Sequence, residues 1–437
     1  MRILIYNWRD LTHPKAGGAE VYTDAVARVW INEGHEVTLF TSAVTDQPGD
    51  EVGEGGYRIV RRGGRLGVYR EAHRFWMREG QGNFDLVIDE VNTKPFGCPK
   101  WVKDVPVIAL IHQVAREIWF HETWLPVALL GRFWLERHWL ASYRDTTTVT
   151  VSTSSKQSLE AYGLRNVTIV PEGMDLTPEL LTSDPPEKED TLTFAFVGRL
   201  SSNKRPHHAL EAFKIVHRQF PEARLWVMGT GPMEAKLRRR APEGVEFLGR
   251  VSDAEKRNRL SRVHALLVTS VREGWGLVVT EAAMVGTPSV GYSVPGLCDS
   301  ISASDGLLSD PDPGALAEVA IVAVSDLKIA NYLPSTHGVK TWREVADEIM
   351  AIAAGRQSDQ DQTWPSTVSR DSAKHEEPDG TAAFWRRGDR DDMTIMRGLL
   401  WMSMTVVFRP LRSYESRFCS RGFASTSRVE VVGTQRR

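Results

Sequence analysis

Short apolar runs alternate with amphipathic segments along most of this chain. Runs such as 2–6 and 86–90 are rich in β-branched residues and are followed by polar or glycine-containing stretches, which is typical of strands. The segments between them repeat apolar positions at helical spacing, as in 19–33. Strands that alternate with helices predict βαβ units, parallel sheets and an α/β fold.

The chain contains two such series, and strands alternate with helices in each. In the first series, the predicted strands are 2–6, 36–41, 58–61, 86–90, 107–112, 147–152 and 167–171, and the predicted helices are 19–33, 67–79, 125–143 and 154–162. In the second series, the predicted strands are 193–197, 224–229, 245–248, 265–269 and 289–292, and the predicted helices are 206–219, 233–241, 253–262 and 278–285.

A charged, proline-rich stretch, 183–190, separates the two series and predicts a linker. We therefore expect two Rossmann-like domains that face each other across a cleft, with ligands at the carboxyl ends of the strands. After residue 355 the chain becomes polar and loses its period, which predicts a disordered or loosely packed tail. The predicted parts are a first domain 1–178, a linker 179–192, a second domain 193–341, a helix 342–355 and a tail 356–437.

Composition narrows the class of protein. A chain of 437 residues is too long for one core. The 54 basic and 56 acidic side chains give a net charge of −2, so nothing in the overall charge indicates a nucleic-acid partner. The apolar run at the start is too short for a signal peptide, and no stretch of about 20 apolar residues follows. We expect a cytoplasmic protein.

Residues 273–282 read Glu-Gly-Trp-Gly-Leu-Val-Val-Thr-Glu-Ala and carry the most specific chemistry. Gly274 and Gly276 allow a tight turn close to a ligand, and the helix predicted after them offers N–H groups to a phosphate. Glu273 and Glu281 stand on either side of the turn and can accept hydrogen bonds from sugar hydroxyls. This combination predicts a site for a nucleotide-sugar. The alternative is a plain strand–turn–helix with a solvated acid at each end.

Two further turns in the second series follow strands. In residues 198–206, Arg199 and Lys204 could grip a diphosphate from two directions and stabilise the charge that grows as a nucleotide leaves. The alternative is an exposed basic loop. The turn 229–232, with Gly229 and Gly231, ends another strand, although Gly-Pro turns are common.

The first series contributes a glycine pair and a histidine. Gly17 and Gly18 follow the first strand and open a helix, which permits close approach to a ligand. The alternative is a simple turn in which Glu20 favours the helix dipole. His112 ends an apolar strand, so we expect it to face the cleft, although a lone histidine is more often structural.

These motifs, in this order, resemble the retaining glycosyltransferases of the GT-B fold, family 4 (glycosyl transferases group 1). The resemblance covers about residues 1–355 and implies a C-terminal helix that crosses back to the first domain. It departs from the family at Arg205, where many members have glycine, and at Glu172, where they have asparagine.

The resemblance implies a role for each motif. Glu273 and His112 would contact the donor sugar, Glu281 the ribose, and Arg199 and Lys204 the phosphates. The residues implied in catalysis are Glu273, His112, Lys204 and Arg199. Those implied in donor binding are Gly17, Gly18, Gly229, Gly231, Gly274, Trp275, Gly276, Leu277 and Glu281.

The function implied is transfer of a hexosyl group, with retention, from a UDP- or GDP-sugar to a sugar or lipid-linked acceptor in envelope glycan, glycolipid or exopolysaccharide synthesis. We expect neither a cofactor nor a metal, since no Asp-x-Asp motif stands where a divalent ion would bridge the diphosphate. The alternatives are a nucleotide-sugar epimerase or hydrolase of the same fold and a non-catalytic nucleotide-sugar binding protein. A nicotinamide enzyme is disfavoured because the first turn lacks Gly-x-Gly-x-x-Gly.

Two segments of the first domain mix aromatic with basic residues. They run from Arg61 to Arg78 and from Trp119 to Trp139. Either one predicts peripheral contact with the inner face of a membrane or with an anionic acceptor. The alternatives are a solvated basic face for the first segment and ordinary helix packing for the second.

Overall fold

The computed structural model describes residues 1–176, 187–325 and 332–355. The predicted linker 179–192 is therefore described only from residue 187 onwards. The predicted tail 356–437 lies outside the described residues.

The first domain is built on an eight-stranded sheet in the order β3-β4-β2-β1-β5-β6-β7-β8. Every pair is parallel except β3 and β4. The strands are β1 (Arg2–Tyr6), β2 (Glu36–Thr41), β3 (Asp50–Val52), β4 (Arg58–Arg61), β5 (Leu86–Glu90), β6 (Val107–Leu110), β7 (Thr147–Thr150) and β8 (Val167–Ile169).

Helices cover both faces of this sheet. They are α1 (Gly18–Asn32), α2 (Val68–Phe75), α3 (Cys98–Trp101), α4 (Trp119–Glu122), α5 (Leu125–Leu130), α6 (Glu136–Leu140) and α7 (Thr153–Ala161). Alternate residues of β1 point to opposite faces, as the pleat requires. Ile3 packs in the core cluster that contains Trp30 of α1, whereas Leu4 packs in the cluster that contains Phe75 of α2.

The predicted helix 125–143 is not continuous. Between α5 and α6 lies a π-helical turn, Gly131–Leu135, and a 3-10 turn, Ala141–Tyr143, follows α6. A Cβ at Gly131 would lie 2.4 Å from the ring of Trp119. The glycine therefore gives the indole room against the helix at the point where the wider π turn forms.

The second domain contains a six-stranded parallel sheet in the order β12-β11-β10-β13-β14-β15. Its strands are β10 (Thr193–Val197), β11 (Arg224–Met228), β12 (Val245–Gly249), β13 (Ala265–Val268), β14 (Ser289–Tyr292) and β15 (Leu307–Ser309). A short strand, β9 (Gly173–Met174), precedes them in the chain and is not part of this sheet. The helices are α8 (Pro206–Gln219), α9 (Glu234–Arg238), α10 (Asp253–Arg262), α11 (Leu277–Met284), α12 (Leu297–Ala303) and α13 (Pro313–Ser325). The two sheets, which are parallel except at the β3–β4 pair, and their helices confirm the predicted GT-B architecture.

The chain then returns to the first domain, as predicted. Strand β16 (Lys340–Thr341) pairs with β9, and α14 (Trp342–Ala353) begins with a capping box between Thr341 and Glu344. Trp342 joins the first-domain core and meets the ring of Tyr22 edge-on at 5.5 Å. The indole of Trp30 donates to the carbonyl of Ala346 at 3.3 Å. The crossing helix is therefore part of the core that it covers.

The basic segment 61–78 is only partly exposed. Arg61 is buried at the end of β4, where its guanidinium contacts Asp10 and Glu51. Arg61 itself is therefore not available to a membrane, because this buried charge is held by carboxylate partners, and membrane contact through the rest of the segment stays a prediction. Phe75 and Trp76 are also buried. Within the described residues, no helix is long and apolar enough to cross a membrane.

Replacing Trp342 tests whether the crossing helix stabilises the first domain. We expect Trp342→Ala to lower the free energy of unfolding by about 3–5 kcal/mol, since it empties a large site in a packed core. Trp134→Ala is the matched control because that indole is 58% exposed. Chemical denaturation of both variants measures the effect, and equal midpoints for the two would contradict it.

Candidate active site

The basic loop after β10 is fixed to the neighbouring strand end. The hydroxyl of Thr269, just after β13, donates to the carbonyls of both Lys204 and Arg205 at 2.9 Å. The amide of Val271 donates to the carbonyl of Asn203 at 2.8 Å. Arg205 has φ +49° and directly precedes α8. This is the left-handed region that glycine adopts most easily, which gives a physical reason for the glycine of the family motif at this position.

Lys204 and Glu273 are in direct contact. The Lys204 ammonium contacts Glu273 Oε1, and the hydroxyl of Ser270 donates to the same oxygen at 2.5 Å. Glu273 is largely buried, whereas Lys204 is one-third exposed. Two residues predicted from separate motifs therefore lie at one point of the cleft, and each orients the other.

The turn after Glu273 depends on its two glycines. Gly276 has φ +99° and caps α11. A Cβ at Gly274 would lie 2.9 Å from the carbonyl oxygen of His112 in the first domain. Between them, the Trp275 indole donates to Thr280 at 2.9 Å and packs against the first-domain core. The predicted glycine turn thus lies directly against the backbone of the predicted histidine. Helix α11 begins immediately after this turn, at Leu277.

Glu281, on α11, lies beside a lysine that the sequence did not single out. Lys256 of α10 contacts Glu281 Oε1 at 2.8 Å and Asp253 Oδ1 at 3.0 Å. Burial disfavours the charged ammonium, but the two carboxylates outweigh it and raise the pKa of Lys256. Glu281 is therefore held by a cation, with part of its side chain open to solvent.

The loops that follow β10 and β11 pack backbone to backbone. A Cβ at Gly229 would lie 2.0 Å from the carbonyl oxygen of Gly198, and one at Gly231 would lie 2.5 Å from that of Leu200. These glycines therefore seat the basic loop. Arg199 is exposed on it. Burial, Arg9 and, more weakly, Arg199 lower the pKa of His13, which places Arg199 near the first domain.

The glycine pair of the first domain faces the start of α11. A Cβ at Gly18 would lie 3.5 Å from the side chain of Leu277. The amide of Gly17 donates to Glu20 at 2.6 Å, and Arg9 contacts the other oxygen of Glu20 at 2.8 Å. Glu20 is buried and ties the loop down, so its role goes beyond the helix dipole.

His112 lies in the cleft between two carboxylates. Its Nδ1 is 3.5 Å from Glu172 and its Nε2 is 3.7 Å from Glu90, separations typical of ion pairs rather than of strong hydrogen bonds. The ring of Tyr22 meets it edge-on at 4.9 Å. Burial opposes protonation, but Glu172 and Glu90 together raise the pKa of His112 to about 10.

Sequence reasoning missed Glu90 as a site residue. It ends β5, one strand away from the strand that His112 follows, and is buried. Asn7 donates to its Oε2 at 2.7 Å, and the hydroxyl of Thr23 contacts the same oxygen. The sequence signal that could have indicated it is a glutamate at the carboxyl end of an apolar strand.

Several polar pairs join the two domains beside the site. Arg272 contacts Glu117 at 3.1 Å, and the hydroxyl of Ser202 donates to the carbonyl of His121 at 2.6 Å. Ser154, near the start of α7, contacts Asp299 of α12 and accepts a hydrogen bond from the Gly296 amide at 2.7 Å. Each helix start thus receives a side chain from the other domain. None of these pairs was predicted, because their members are far apart in sequence.

Two family models match the chain in succession. The model of Glycosyltransferase Family 4 matches residues 16–177, and that of Glycosyl transferases group 1 matches residues 179–333. The chain is 25% identical, over 336 residues, to a GDP-mannose-dependent alpha-(1-6)-phosphatidylinositol dimannoside mannosyltransferase of Mycobacterium tuberculosis. That match covers 71% of this chain and 85% of the relative. A glycogen synthase of the same organism is 27% identical over 231 residues, which cover 51% of this chain and only 55% of that relative.

Solved structures share the fold at low sequence identity. Sucrose-phosphate synthase from Thermosynechococcus elongatus has a TM-score of 0.64 at 17% identity, and the match covers 81% of this chain and 98% of that one. WaaG, a glycosyltransferase involved in lipopolysaccharide biosynthesis, has a TM-score of 0.60 at 16% identity, with 81% and 100% covered. The two matched family models and the curated relatives support a glycosyltransferase, and the solved structures show that the chain has the GT-B fold.

Proposed function

We propose that this glycosyltransferase moves a hexosyl group, with retention of configuration and without a metal ion, from a UDP- or GDP-sugar to a hydroxyl of a sugar or lipid-linked acceptor. The observation that carries the proposal is the contact of Lys204 with Glu273 beside the start of α11, with the backbone of His112 against Gly274 of the same turn.

The basic loop and the start of α11 would supply positive charge to a departing diphosphate. Lys204 and Arg199 stand on one loop, and the N-terminus of α11 at Gly276 presents backbone N–H groups beside Glu273. Fixed cations and dipoles stabilise charge that develops on a leaving group without reorganising during the reaction. This arrangement supports departure of the nucleotide without help from a divalent ion.

Carboxylates and an imidazole would bind the two sugars of the donor. Glu273 and His112 would bind hydroxyls of the donor hexose, and Glu281 those of the ribose. Lys256 orients Glu281 for that role. His112, charged between Glu90 and Glu172, would add positive charge beside the hexose.

The bond changes proposed are confined to one face of the sugar. The bond from the anomeric carbon to the phosphate oxygen breaks while the acceptor oxygen bonds to that carbon from the same side. The acceptor proton passes to the departing phosphate. The transition state has oxocarbenium character, as in glycoside hydrolysis.

The setting proposed is synthesis of an envelope glycan, glycolipid or exopolysaccharide in the cytoplasm, with peripheral contact at the inner face of the membrane. One relative is named as a phosphatidylinositol dimannoside mannosyltransferase and another as a glycogen synthase. Their names support the acceptor class proposed for this chain.

A donor screen tests the proposal first. We expect either UDP- or GDP-linked hexoses to raise the thermal midpoint, and the increase to survive EDTA. At a ligand concentration of about 100 times Kd, binding adds about 2.7 kcal/mol to the free energy of unfolding. A shift with NAD alone, or one that EDTA abolishes, would count against the proposal. Product formed without acceptor would favour an epimerase or hydrolase, and binding without any product would favour a non-catalytic binding protein.

Substitution at the Lys204–Glu273 contact tests the site. Lys204→Ala and Glu273→Ala should each lower kcat by about 10²–10³-fold or more, because they remove charge complementary to the transition state. Lys214→Ala and Glu211→Ala, at exposed positions of α8, are matched controls that should transfer normally. Wild-type turnover by either site variant would refute the assignment.

Glu172→Gln tests the charge of His112. The pKa of His112 is raised from 6.5 to about 10, so its protonation contributes stability that is present below pH 6.5 and is lost as pH rises towards 10. The variant should lower this pKa by about one unit or more, since one flanking carboxylate loses its charge. Histidine ring NMR measures it, with Glu160→Gln as the exposed control. Titration of wild-type His112 near its ordinary value would contradict the expectation.

A further inference from the structure

The helical segment 120–134 exposes a row of large apolar side chains, which we call the aromatic surface. Its members are 43–70% exposed. They are Phe120, Trp124, Leu125, Leu129, Leu130, Phe133 and Trp134. Monomeric soluble proteins rarely expose contiguous apolar patches of this kind without an interaction to serve.

The same segment and the helix α6 that follows it are anchored on their inner side. Ala128 and Leu140 are buried, and the Glu136 carboxylate accepts hydrogen bonds from the amides of Ala115 and Arg116. Four residues separate Leu125 from Leu129, and four separate Leu130 from Trp134. The two side chains of each pair therefore lie near one another on the helical segment. The exposed row therefore belongs to a packed element.

Cations lie on the same side of the first domain. Ala109 of β6 packs with Leu140 of α6, and Val87 of the adjacent β5 packs with α2 and α3; both residues face away from α1. The helices α2, α3 and α6 therefore share one face of the sheet. Their exposed cations, with the nearby Arg144, are Arg70, Arg74, Lys100, Arg137 and Arg144.

We propose that the aromatic surface and the exposed cations on the same side of the first domain form a docking site for an anionic lipid bilayer. Tryptophan and other large apolar side chains partition into the interface of a bilayer, and lysine and arginine are attracted to anionic head groups. Exposed cations outnumber exposed acids on helices α2 to α6, where Glu122 is exposed. The excess of positive charge favours an anionic bilayer over a second copy of this chain, whose matching surface would carry the same excess.

The docking site adjoins the cleft. His121, beside Phe120, accepts a hydrogen bond from Ser202 of the second domain, and Glu117 contacts Arg272. A bilayer on the aromatic surface would therefore lie next to the mouth of the site, where a lipid-linked acceptor could enter. This consequence rests on the proposed function; the docking itself does not.

Vesicle co-sedimentation of the full chain tests the docking site. The variant Trp124→Ser/Phe133→Ser/Trp134→Ser removes three apolar side chains from the surface. The control Val52→Ser/Val322→Ser/Leu333→Ser removes three apolar side chains that are 55–72% exposed elsewhere. Vesicles of phosphatidylcholine alone are compared with vesicles that also contain phosphatidylglycerol, at low and high salt. Light scattering gives the oligomeric state, and the donor-induced thermal shift is recorded for each protein.

We expect wild-type protein and the control to bind the anionic vesicles, and high salt to weaken that binding. The surface variant should lose at least about tenfold in partition coefficient, because each large apolar side chain contributes to burial in the interface. Failure of wild-type protein to bind, or undiminished binding by the surface variant, would overturn the proposal. So would a wild-type dimer that the substitutions convert to a monomer. A normal donor shift in a protein that does not bind vesicles would leave the glycosyltransferase site standing, and would refute the docking site together with the peripheral membrane contact proposed above.

Discussion

The site depends on two places where backbone meets backbone with no room for a side chain. A Cβ at Gly274 would lie 2.9 Å from the carbonyl oxygen of His112, and one at Gly296 would lie 2.1 Å from that of Glu273. The first contact sets the turn of the second domain against the strand end of the first. The second seats that turn on the start of α12. The position of Glu273 and the direction of α11 both follow from these contacts, since any larger residue would separate the elements.

The charged side chains of the cleft are paired with one another in the protein itself. Lys204 contacts Glu273, Lys256 contacts Glu281, and His112 lies between Glu90 and Glu172. Pairing lets charged groups remain charged in a partly buried site. It also fixes their orientation, which a site that binds a charged, hydroxyl-rich donor requires. The left-handed conformation of Arg205 costs about 1–2 kcal/mol, and the two hydrogen bonds from Thr269 help to hold it.

The two faces of the first sheet are covered in different ways. On one face, α14 returns from the second domain and buries Trp342 in the core beside Tyr22. On the other face, the interrupted helical segment buries small and aliphatic side chains such as Ala128 and turns its large aromatic ones outward. The first arrangement links the two domains through a shared core. The second leaves an apolar surface next to the cleft.

The sequence alone determined the parts that local pattern controls. Short apolar runs and helical repeats located β1, β2, β10 and α8 at their observed bounds, because the apolar pattern is a local property. The order of the glycine, basic and glutamate motifs predicted which residues would be brought together. Only the tertiary structure decided what depends on distant partners: the burial of Arg61 against Asp10, the carboxylates around His112, the pairing of Ser154 with Asp299, and the break at Gly131 beside Trp119. Each of these depends on the packing of residues well separated in the chain, and a local pattern carries no record of such packing.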